Sequence, residues 1–386
     1  MTREELLALH RQLVAIPSVS GSEAAVCGWL ENLLWERGEA NGVTPRRLGD
    51  TLLAIAGDRY GRSKSGGERR PLLLLDTHLD TVPPGEGWSR DPFGAEVVEG
   101  RVYGLGSNDA KASVAAMTAA FLALAGERLP FDLGLALVEG EETRGTGTQR
   151  VLAELAEQQV SLLGAVFGEP TGLDIATSQK GLLVLELVAC GQGCHAAHAA
   201  SLQAENAALV LARDLLALAA AELAPHHARL GPTTVQPTVV RAGNARNVVP
   251  AEATAVLDVR TTPAASHDEV VAQVRARVAS EVRVLSSRLL PRETAEDALV
   301  VQAALRARPA AKLYGSPTLS DLVHVAGAPA IKCGPGASER SHTADEWVGE
   351  EEIVAGADFY VAMVRECARL YAAAPHGGAV AAAVQR

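Results

Sequence analysis

Apolar residues in the first half of the chain form short runs that alternate with helical patterns. Apolar positions over residues 3–38 have helical spacing, broken by a turn at 16–21 that contains Pro17 and Gly21. An Ala-rich helix is predicted over 110–124. Apolar runs bounded by turn-forming or polar residues predict three buried strands, at 71–75, 133–138 and 165–167.

Each of these predicted strands runs into a polar cluster. The alternation of strands and helices predicts an α/β domain with an open, mostly parallel sheet. Ligands of such sheets bind beyond the carboxyl ends of the strands. The polar clusters that follow the strands are 76–80, 139–142 and 168–171. The sequence therefore places its candidate chemistry at one edge of the sheet.

The middle third of the chain has a different pattern, with partial alternation of apolar and polar residues. The predicted elements there are strands over 182–188, 233–240 and 253–259 and helices around 204–221 and 267–279. We interpret this part, residues 178–289, as a compact α+β domain inserted into a first domain formed by residues 1–177 and 290–386. The charged stretch 57–70 is predicted to be a surface loop, and the Ala-rich residues after Tyr371 a frayed end.

Composition narrows the class of protein. Of the 386 residues, 48% are hydrophobic but only 4% aromatic, so Ala, Leu and Val must form the core. Five scattered cysteines without C-x-x-C spacing indicate a reducing, cytoplasmic compartment. The charged N-terminal residues do not resemble a signal peptide, and no apolar stretch predicts a membrane span. A net charge of −11 without a basic cluster argues against a nucleic-acid partner.

The polar clusters contain the side chains that a pair of catalytic metal ions needs. Such a pair uses imidazole and carboxylate ligands, and one carboxylate bridges the two ions. His78 ends a predicted strand, and Asp80 lies two residues later on the same side of an extended chain. We therefore expect the Asp80 carboxylate to hydrogen-bond the far side of the His78 ring and fix its tautomer.

Five further residues complete this chemistry. Asp109 follows a Gly-rich turn, which allows close approach of the backbone to a metal. Glu141 and Glu142 are adjacent, so one can bind metal while the other acts as general base. Glu169 ends a buried strand, where an unpaired carboxylate is costly, and His342 follows a Gly-Pro-Gly loop. A single His or Glu-Glu pair usually lies on the surface, but several such clusters at strand ends favour a site.

The chain resembles the dinuclear zinc aminoacylase and carboxypeptidase family, which includes acetylornithine deacetylase and succinyl-diaminopimelate desuccinylase. The resemblance covers nearly the whole length of the chain. It is specific because all of the motifs occur together in this order. They are Leu13-Val14-Ala15-Ile16-Pro17-Ser18, Ser20-Gly21-Ser22-Glu23, His78-Leu79-Asp80-Thr81-Val82-Pro83, Gly106-Ser107-Asn108-Asp109-Ala110-Lys111, Glu141-Glu142, Gly168-Glu169-Pro170-Thr171 and His342-Thr343-Ala344-Asp345-Glu346.

The resemblance implies a role for each candidate residue. Two divalent ions would be bound, each by its own set of ligands, and the two sets would share Asp109. The ions would be zinc, with cobalt as the alternative. Glu141 would be the general base and Asp80 the partner of His78. The implied ligand sets are His78, Asp109 and Glu169 for one ion, and Asp109, Glu142 and His342 for the other.

The resemblance also implies that the inserted domain is a ferredoxin-like lid through which the protein forms a homodimer. His195 matches a histidine that reaches the site of the neighbouring subunit, and His198, three residues later, is the competing candidate. Asn247 matches a second residue that the lid contributes to the site.

Three residues are implied to contact the substrate. Arg260 matches an arginine that grips the substrate carboxylate in a bidentate way. Lys180 and Gly336 are weaker candidates for substrate contact. Arg340 and Lys332 lie near the site in sequence and are candidates for reading a second carboxylate.

The chain departs from the family pattern at a few positions. Gly140 stands where the family usually has Asp, and Glu139 is a candidate to replace that acid. Ala112 stands in place of a frequent Gly, and Leu105 in place of a frequent Arg. None of these changes removes an implied ligand, but they argue against a close match to the best-known members.

Other classes of protein fit the sequence less well. Gly104-Leu105-Gly106 lacks the third glycine of a dinucleotide-binding loop, and no G-x-S-x-G elbow indicates a serine hydrolase. A metal-free scaffold protein of the same fold is the remaining rival. The intact ligand set argues against it, because several like charges would then lie together without a cation.

Within the enzyme class, the resemblance favours deacylation of an N-acetylornithine-type substrate in arginine biosynthesis. Desuccinylation of an N-succinyl amino acid, ornithine or diaminopimelate, is the alternative, and a dipeptidase or carboxypeptidase comes third. The segments that carry this preference are Gln179-Lys180-Gly181-Leu182, Ser316-Pro317-Thr318-Leu319-Ser320-Asp321 and Ser338-Glu339-Arg340-Ser341-His342.

Overall fold

The computed structural model describes residues 1–56 and 70–374. The predicted surface loop at 57–70 and the predicted frayed end therefore lie almost wholly outside the described residues. The helices are α1 (Arg3–Ala15), α2 (Ala24–Gly38), α3 (Lys111–Leu124), α4 (Thr146–Glu157), α5 (Ala207–Ala219), α6 (His267–Arg275), α7 (Leu299–Ala307) and α8 (Glu350–Ala373).

Most predicted strands lie within a few residues of those observed. The strands are β1 (Arg46–Leu48), β2 (Thr51–Ala56), β3 (Leu72–His78), β4 (Glu96–Val98), β5 (Arg101–Tyr103), β6 (Asp132–Val138), β7 (Leu162–Phe167), β8 (Ile175–Gln179), β9 (Gly181–Cys190), β10 (Cys194–His195), β11 (Thr234–Ala242), β12 (Val248–Val249), β13 (Glu252–Thr261), β14 (Glu281–Leu289), β15 (Arg292–Glu293), β16 (Leu313–Ser316), β17 (Ala330–Lys332) and β18 (Trp347–Gly349).

The chain forms two compact units. The first consists of Met1–Thr177, Thr294–Tyr314 and the chain from Ser320 onward. The second consists of Ser178–Glu293 together with the short segment Gly315–Leu319. Pattern alone gave no reason to place this short segment apart from the residues that flank it.

The first unit contains a mixed, mostly parallel sheet in the order β1-β2-β6-β3-β7-β17-β8. Strand β3 runs parallel to both β6 and β7, and β17 runs parallel to β7. The register pairs His78 with Val138 and Asp76 with Phe167. The carboxyl ends of β3, β6 and β7 therefore meet at one edge of the sheet, where their polar clusters follow.

Small aliphatic side chains make up the core of the first unit. Helix α3 is buried along almost its whole length and packs against α1, α8 and the strands β3 and β6. Its alanines leave room for this close packing. Helix α3 begins at Lys111, directly after the turn that carries Asp109, so the buried helix fixes one end of that turn.

The second unit is an antiparallel sheet in the order β11-β13-β9-β14, with helices α5 and α6. Alternate residues of β9 and β13 are buried against the helices. The succession β9-α5-β11-β13-α6-β14 is that of a ferredoxin-like unit. The predicted fold class, a mostly parallel α/β sheet with an inserted α+β unit, is confirmed.

None of the helices in the described part of the chain is long and apolar enough to span a membrane.

Candidate metal centre

Five ligand-type side chains converge at the edge of the first unit's sheet. His78 ends β3, Glu142 follows β6, and Glu169 follows β7. Asp109 lies in the turn before α3, and His342 lies in the segment before β18. Their ligand atoms form two groups, each within 4.8 Å: His78, Asp109 and Glu169, and Asp109, Glu142 and His342. These two groups have the same members as the ligand sets that the resemblance implies.

Asp109 lies between the two histidines. Its Oδ1 is 3.2 Å from His78 Nε2, and its Oδ2 is 3.7 Å from His342 Nε2. His342 Nε2 also lies 2.8 Å from Glu142 Oε1. A carboxylate that offers one oxygen to each histidine has the placement required of a bridging ligand.

A third group brings in Glu141. His78, Glu141 and Glu142 also have ligand atoms within 4.8 Å of one another. The position of Glu141 is therefore compatible with two roles, a general base beside the ligands or an additional ligand.

Crowding of carboxylates controls the electrostatics of this site. Burial and then the charge of Glu169 raise the pKa of Glu141 well above its usual range. Burial raises the pKa of Glu169 to about 7, against the opposing charge of Lys332. Burial by itself lowers the pKa of His78, but the hydrogen bond that its ring donates to Asp109 and the charges of the surrounding carboxylates outweigh burial and raise the pKa. The site thus holds more negative charge than its own groups neutralise.

This donor set fits divalent cations. Imidazole nitrogens and carboxylate oxygens are the ligands that zinc takes in catalytic sites. Asp109 is largely buried and Glu142 is 10% exposed, so water screens their charges poorly. Two cations would offset the repulsion between the carboxylates, and His78, Asp109, Glu142, Glu169 and His342 are the residues that would hold them.

The Asp80 carboxylate has a different partner from the one expected. His78 Nδ1 lies 2.9 Å from the backbone carbonyl oxygen of Asp80, but 3.6 Å from its carboxylate. The carboxylate instead accepts hydrogen bonds from the backbone N–H groups of Glu141, at 3.0 Å, and Glu142, at 3.1 Å. The hydroxyl of Ser20 donates a third, at 2.7 Å. The expectation was wrong in detail because the pairing of β3 with β6 brings the two loops together.

The departure at Gly140 also has a structural reason. Gly140 has a φ of +70°, which favours glycine, and its N–H donates to Glu23 at 3.2 Å. Glu139 does not replace the missing acid. Its carboxylate accepts a 2.7 Å hydrogen bond from the Asp50 N–H and forms an ion pair with Arg150.

Two buried carboxylates near the site were not singled out from the sequence. Glu23 and Glu346 are 2% and 1% exposed, and both accept hydrogen bonds from backbone N–H groups of the ligand-bearing loops. Both stand inside motifs that carry the family resemblance. Buried acidic residues within such motifs are therefore the signal that identifies them.

His195 and Asn247 lie close together in the second unit. Strands β10 and β12 pair His195 with Val248, and the Ala196 N–H donates to the Asn247 carbonyl oxygen at 2.9 Å. Both side chains are exposed, and the ring of His198 lies 5.8 Å from that of His195.

Two of the residues implied to contact the substrate, Arg260 and Lys180, have partners within the second unit. Arg260 forms a bidentate pair with Asp258, at 2.8 and 3.0 Å. Lys180 Nζ donates to the Pro232 carbonyl oxygen at 2.8 Å, and burial followed by the charge of Arg260 lowers its pKa. Gly336 has a φ of +87°, and a Cβ there would lie 2.3 Å from Asn108 Oδ1.

Arg340 and Lys332 are the two candidates for binding a second substrate carboxylate, and Arg340 is paired with other residues of the chain. Its guanidinium lies 3.7 Å from the centre of the Trp347 ring and 2.7 Å from Glu352. A substrate carboxylate would have to compete with Glu352 for the Arg340 guanidinium, as it would with Asp258 for that of Arg260. Lys332 is buried on β17. Its positive charge opposes the rise that burial causes in the pKa of Glu169.

The chain is similar to known proteins of one family. Residues 74–366 match the family described as Peptidase family M20/M25/M40. A succinyl-diaminopimelate desuccinylase of Methylobacterium nodulans is 34% identical over an alignment 293 residues long, which covers 72% of each chain. A probable carboxypeptidase of Aspergillus clavatus is 34% identical over 71% of this chain, and the match spans 61% of the fungal protein.

Solved structures of similar fold also match. The aminopeptidase PepT of Bacillus cereus superposes with a TM-score of 0.74 at 20% identity, covering 95% of this chain and 99% of that one. The YXEP protein of Bacillus subtilis, described as a dinuclear metal binding peptidase, gives a TM-score of 0.66 at 16% identity over 95% of this chain and 98% of that one. At these identities the match concerns the fold.

Proposed function

The chain belongs to the peptidase family M20/M25/M40, and on this premise we propose that it is a two-metal hydrolase that removes the acyl group from an N-acyl amino acid. The observation that carries the proposal is the placement of Asp109 between two histidines, with Glu141 beside the ligands. Zinc is the proposed metal, with cobalt as the alternative, because the ligands are imidazoles and carboxylates.

When bound, two divalent cations would polarise the amide carbonyl, stabilise negative charge on its oxygen and make water more acidic. Glu141 takes the proton from the attacking water onto its carboxylate. Burial raises the pKa of the Glu141 carboxyl, which makes its carboxylate a stronger proton acceptor. The water oxygen bonds to the carbonyl carbon, and Glu141 returns the proton to the amide nitrogen as the C–N bond breaks, which releases the amino acid and the acid of the acyl group. No covalent acyl-enzyme is formed, since the attacking group is water.

We propose an N-acetylornithine-type substrate, hydrolysed in arginine biosynthesis. The matched desuccinylase favours a specific alternative, an N-succinyl amino acid. The matched probable carboxypeptidase favours a peptide substrate as the third possibility. All three substrates have an amide bond next to an amino-acid carboxylate, so the chemistry of Glu141 is the same for each.

The substrate is tested by amine release from zinc-loaded protein with five compounds in parallel: N-acetyl-ornithine, N-succinyl-ornithine, N-acetyl-citrulline, N-succinyl-diaminopimelate and a dipeptide. Turnover of the acetylated compounds above the others supports the proposal. If a succinylated compound is turned over fastest, the substrate is an N-succinyl amino acid rather than an N-acetyl amino acid. Lack of turnover of all five with two zinc ions bound leaves the metal site standing, contradicts the proposed substrate class, and favours a different peptide substrate or a non-catalytic binding role.

The second unit is proposed to form a homodimer with a second copy of the chain. Its edge strand β11 exposes Val239 and Val240, and α5 exposes Leu209 and Leu216, which are 55% and 72% exposed. Exposed apolar side chains on an unpaired edge strand favour association. Sedimentation of the purified protein tests this proposal, with a mass of two chains expected and a mass of one chain contradicting it.

We further propose that His195 and Asn247 act in the site of the partner subunit, and that Arg260, Lys180 and Gly336 contact the substrate. Mixed dimers test the first part. One chain carries His195→Ala and the other Glu141→Ala, so each mixed dimer retains one complete site. Recovery of activity on mixing supports action in the partner's site, whereas mixed dimers as inactive as either parent contradict it. His198→Ala in place of His195→Ala is the matched control.

A further inference from the structure

Glu346 lies opposite the turn that carries Asp109. Strand β18 pairs with β5 in an antiparallel register that sets Trp347 against Tyr103. The pairing continues by one residue, because the Gly104 N–H donates to the Glu346 carbonyl oxygen at 2.9 Å. The side chain of Glu346 therefore reaches the residues that follow β5.

The Glu346 carboxylate accepts three hydrogen bonds from the backbone of this turn. One oxygen accepts the N–H groups of Asn108 and Asp109, each at 2.9 Å, and the other accepts the N–H of Gly106 at 3.1 Å. Glu346 is 1% exposed, so water cannot replace these bonds. The two carboxylate oxygens together satisfy three backbone donors, and a buried N–H without a partner is costly.

The same turn is also fixed to the segment that leads to His342. Asn108 Nδ2 donates to the Ala337 carbonyl oxygen at 3.1 Å and to the Ser341 hydroxyl at 3.2 Å. Asn108 Oδ1 accepts the Ala337 N–H at 2.9 Å. Glu346 and Asn108 thus join the backbones of the segments that carry the two candidate ligands Asp109 and His342.

We infer that Glu346 is a positioning residue that fixes the backbone of Asp109, so that the Asp109 carboxylate faces both His78 and His342 and can be shared by two metal ions. The inference rests on the proposed metal site. A general structural role would lower stability alone, whereas a positioning role weakens metal binding beyond any change in stability. Groups that orient metal ligands typically change metal affinity or activity about 10–100-fold when they are removed.

The test is Glu346→Gln, which keeps the size and shape of the side chain. In the glutamine side chain the carbonyl oxygen accepts hydrogen bonds, whereas the NH₂ group only donates them. In either orientation the NH₂ group of the glutamine faces at least one backbone N–H of the turn. Zinc binding to metal-free protein is measured by titration calorimetry, and thermal unfolding of the same metal-free protein is measured separately. We expect at least one zinc ion to bind about 10–100-fold more weakly than in wild type.

Asp345→Asn is the matched control. The Asp345 carboxylate also accepts backbone N–H groups, but those of Ser89 and Arg90, at 3.0 and 3.2 Å. We expect zinc affinity in this variant to stay within about 3-fold of wild type. If Glu346→Gln does not fold, Glu346→Asp replaces it, because the charge remains while the shorter side chain loses reach.

A double-mutant cycle with Asp109→Asn shows whether the effect passes through Asp109. If Glu346 acts by placing that carboxylate, Glu346→Gln lowers zinc affinity far less in the Asp109→Asn background than in wild type. An equal loss in both backgrounds, or wild-type zinc affinity in a folded Glu346 variant, overturns the inference. Wild-type protein that fails to bind two zinc ions contradicts the proposed metal site instead, so the two failures are distinguishable.

Discussion

The carboxylate of Asp80 accepts a 3.0 Å hydrogen bond from the backbone N–H of Glu141, the proposed general base. The same carboxylate accepts the N–H of Glu142 at 3.1 Å. Asp80 thus controls the position of both glutamates through their backbone, while its carbonyl oxygen orients the His78 ring. One residue connects the loop after β3 with the loop after β6.

We therefore predict that Asp80→Asn lowers turnover about 10–100-fold and weakens zinc binding, because the amide group cannot accept from both N–H groups and Ser20 together. Steady-state amine release and zinc titration measure the two effects. Ser20→Ala is the control, since it removes one of the three hydrogen bonds to this carboxylate and keeps the charge. Equal turnover in the two variants would contradict the role assigned to Asp80.

For Glu141→Gln, we predict a loss of turnover of about 10²–10⁴-fold, the usual contribution of a general base. The variant should still bind two zinc ions per chain, because Glu141 belongs to neither of the two ligand sets that share Asp109. Amine release and zinc titration on the same sample decide the matter. Loss of a zinc ion would assign Glu141 to the third group, with His78 and Glu142, as a ligand.

His10 provides a prediction for stability and pH. Its ring is fully buried, its Nε2 lies 2.8 Å from the Ser107 carbonyl oxygen, and burial lowers its pKa to about 4. An unfolded histidine has a pKa of about 6.5. Unfolding therefore takes up a proton between about pH 4 and 6.5, and stability falls as the pH falls through this window.

The size of the His10 effect is about 2 kcal/mol between pH 7.5 and pH 5. Urea unfolding of wild type and His10→Gln at both pH values measures it. Wild type should lose about 2 kcal/mol more free energy of unfolding than His10→Gln over this interval. Parallel pH dependence of the two proteins would show that His10 is not neutral and buried in the folded protein.

Gly140 and Gly100 form a matched pair for testing backbone strain. Their φ angles are +70° and +72°. A Cβ at Gly140 would lie 3.1 Å from Thr146 Oγ1, whereas a Cβ at Gly100 would have open space. We predict that Gly100→Ala lowers the free energy of unfolding by about 1 kcal/mol and that Gly140→Ala lowers it further and also reduces turnover, since Glu141 is next in the chain. Equal stability and full turnover of both variants would contradict this account of Gly140.

The sequence predicted the parts of the structure that depend on local pattern. Apolar runs such as 71–75 and 133–138 identified buried strands, because their length and the polar residues after them leave few alternatives. Because the carboxyl ends of parallel strands meet at one edge of a sheet, these strands placed His78 and the Glu141-Glu142 pair at that edge. The assignment of individual ligands came from the family resemblance, since spacing alone does not distinguish a ligand from a surface residue.

What the sequence could not predict depends on contacts between distant segments. The Asp80 carboxylate reaches Glu141 and Glu142 because β3 and β6 are neighbours in register. Glu346 reaches Asp109 because β18 pairs with β5, and the two residues are 237 positions apart. Such partners follow from strand pairing, which the local pattern does not encode.

The most direct test of the proposed function is the metal dependence of amine release. Metal-free protein, prepared by chelation, is titrated with zinc while hydrolysis of the preferred N-acyl amino acid is followed, with Glu141→Ala as the inactive control. We predict no turnover without metal, recovery that saturates at two zinc ions per chain, and no recovery in Glu141→Ala. Turnover that persists in fully metal-free protein, or that is equal in wild type and Glu141→Ala, would contradict a two-metal hydrolase with Glu141 as its base.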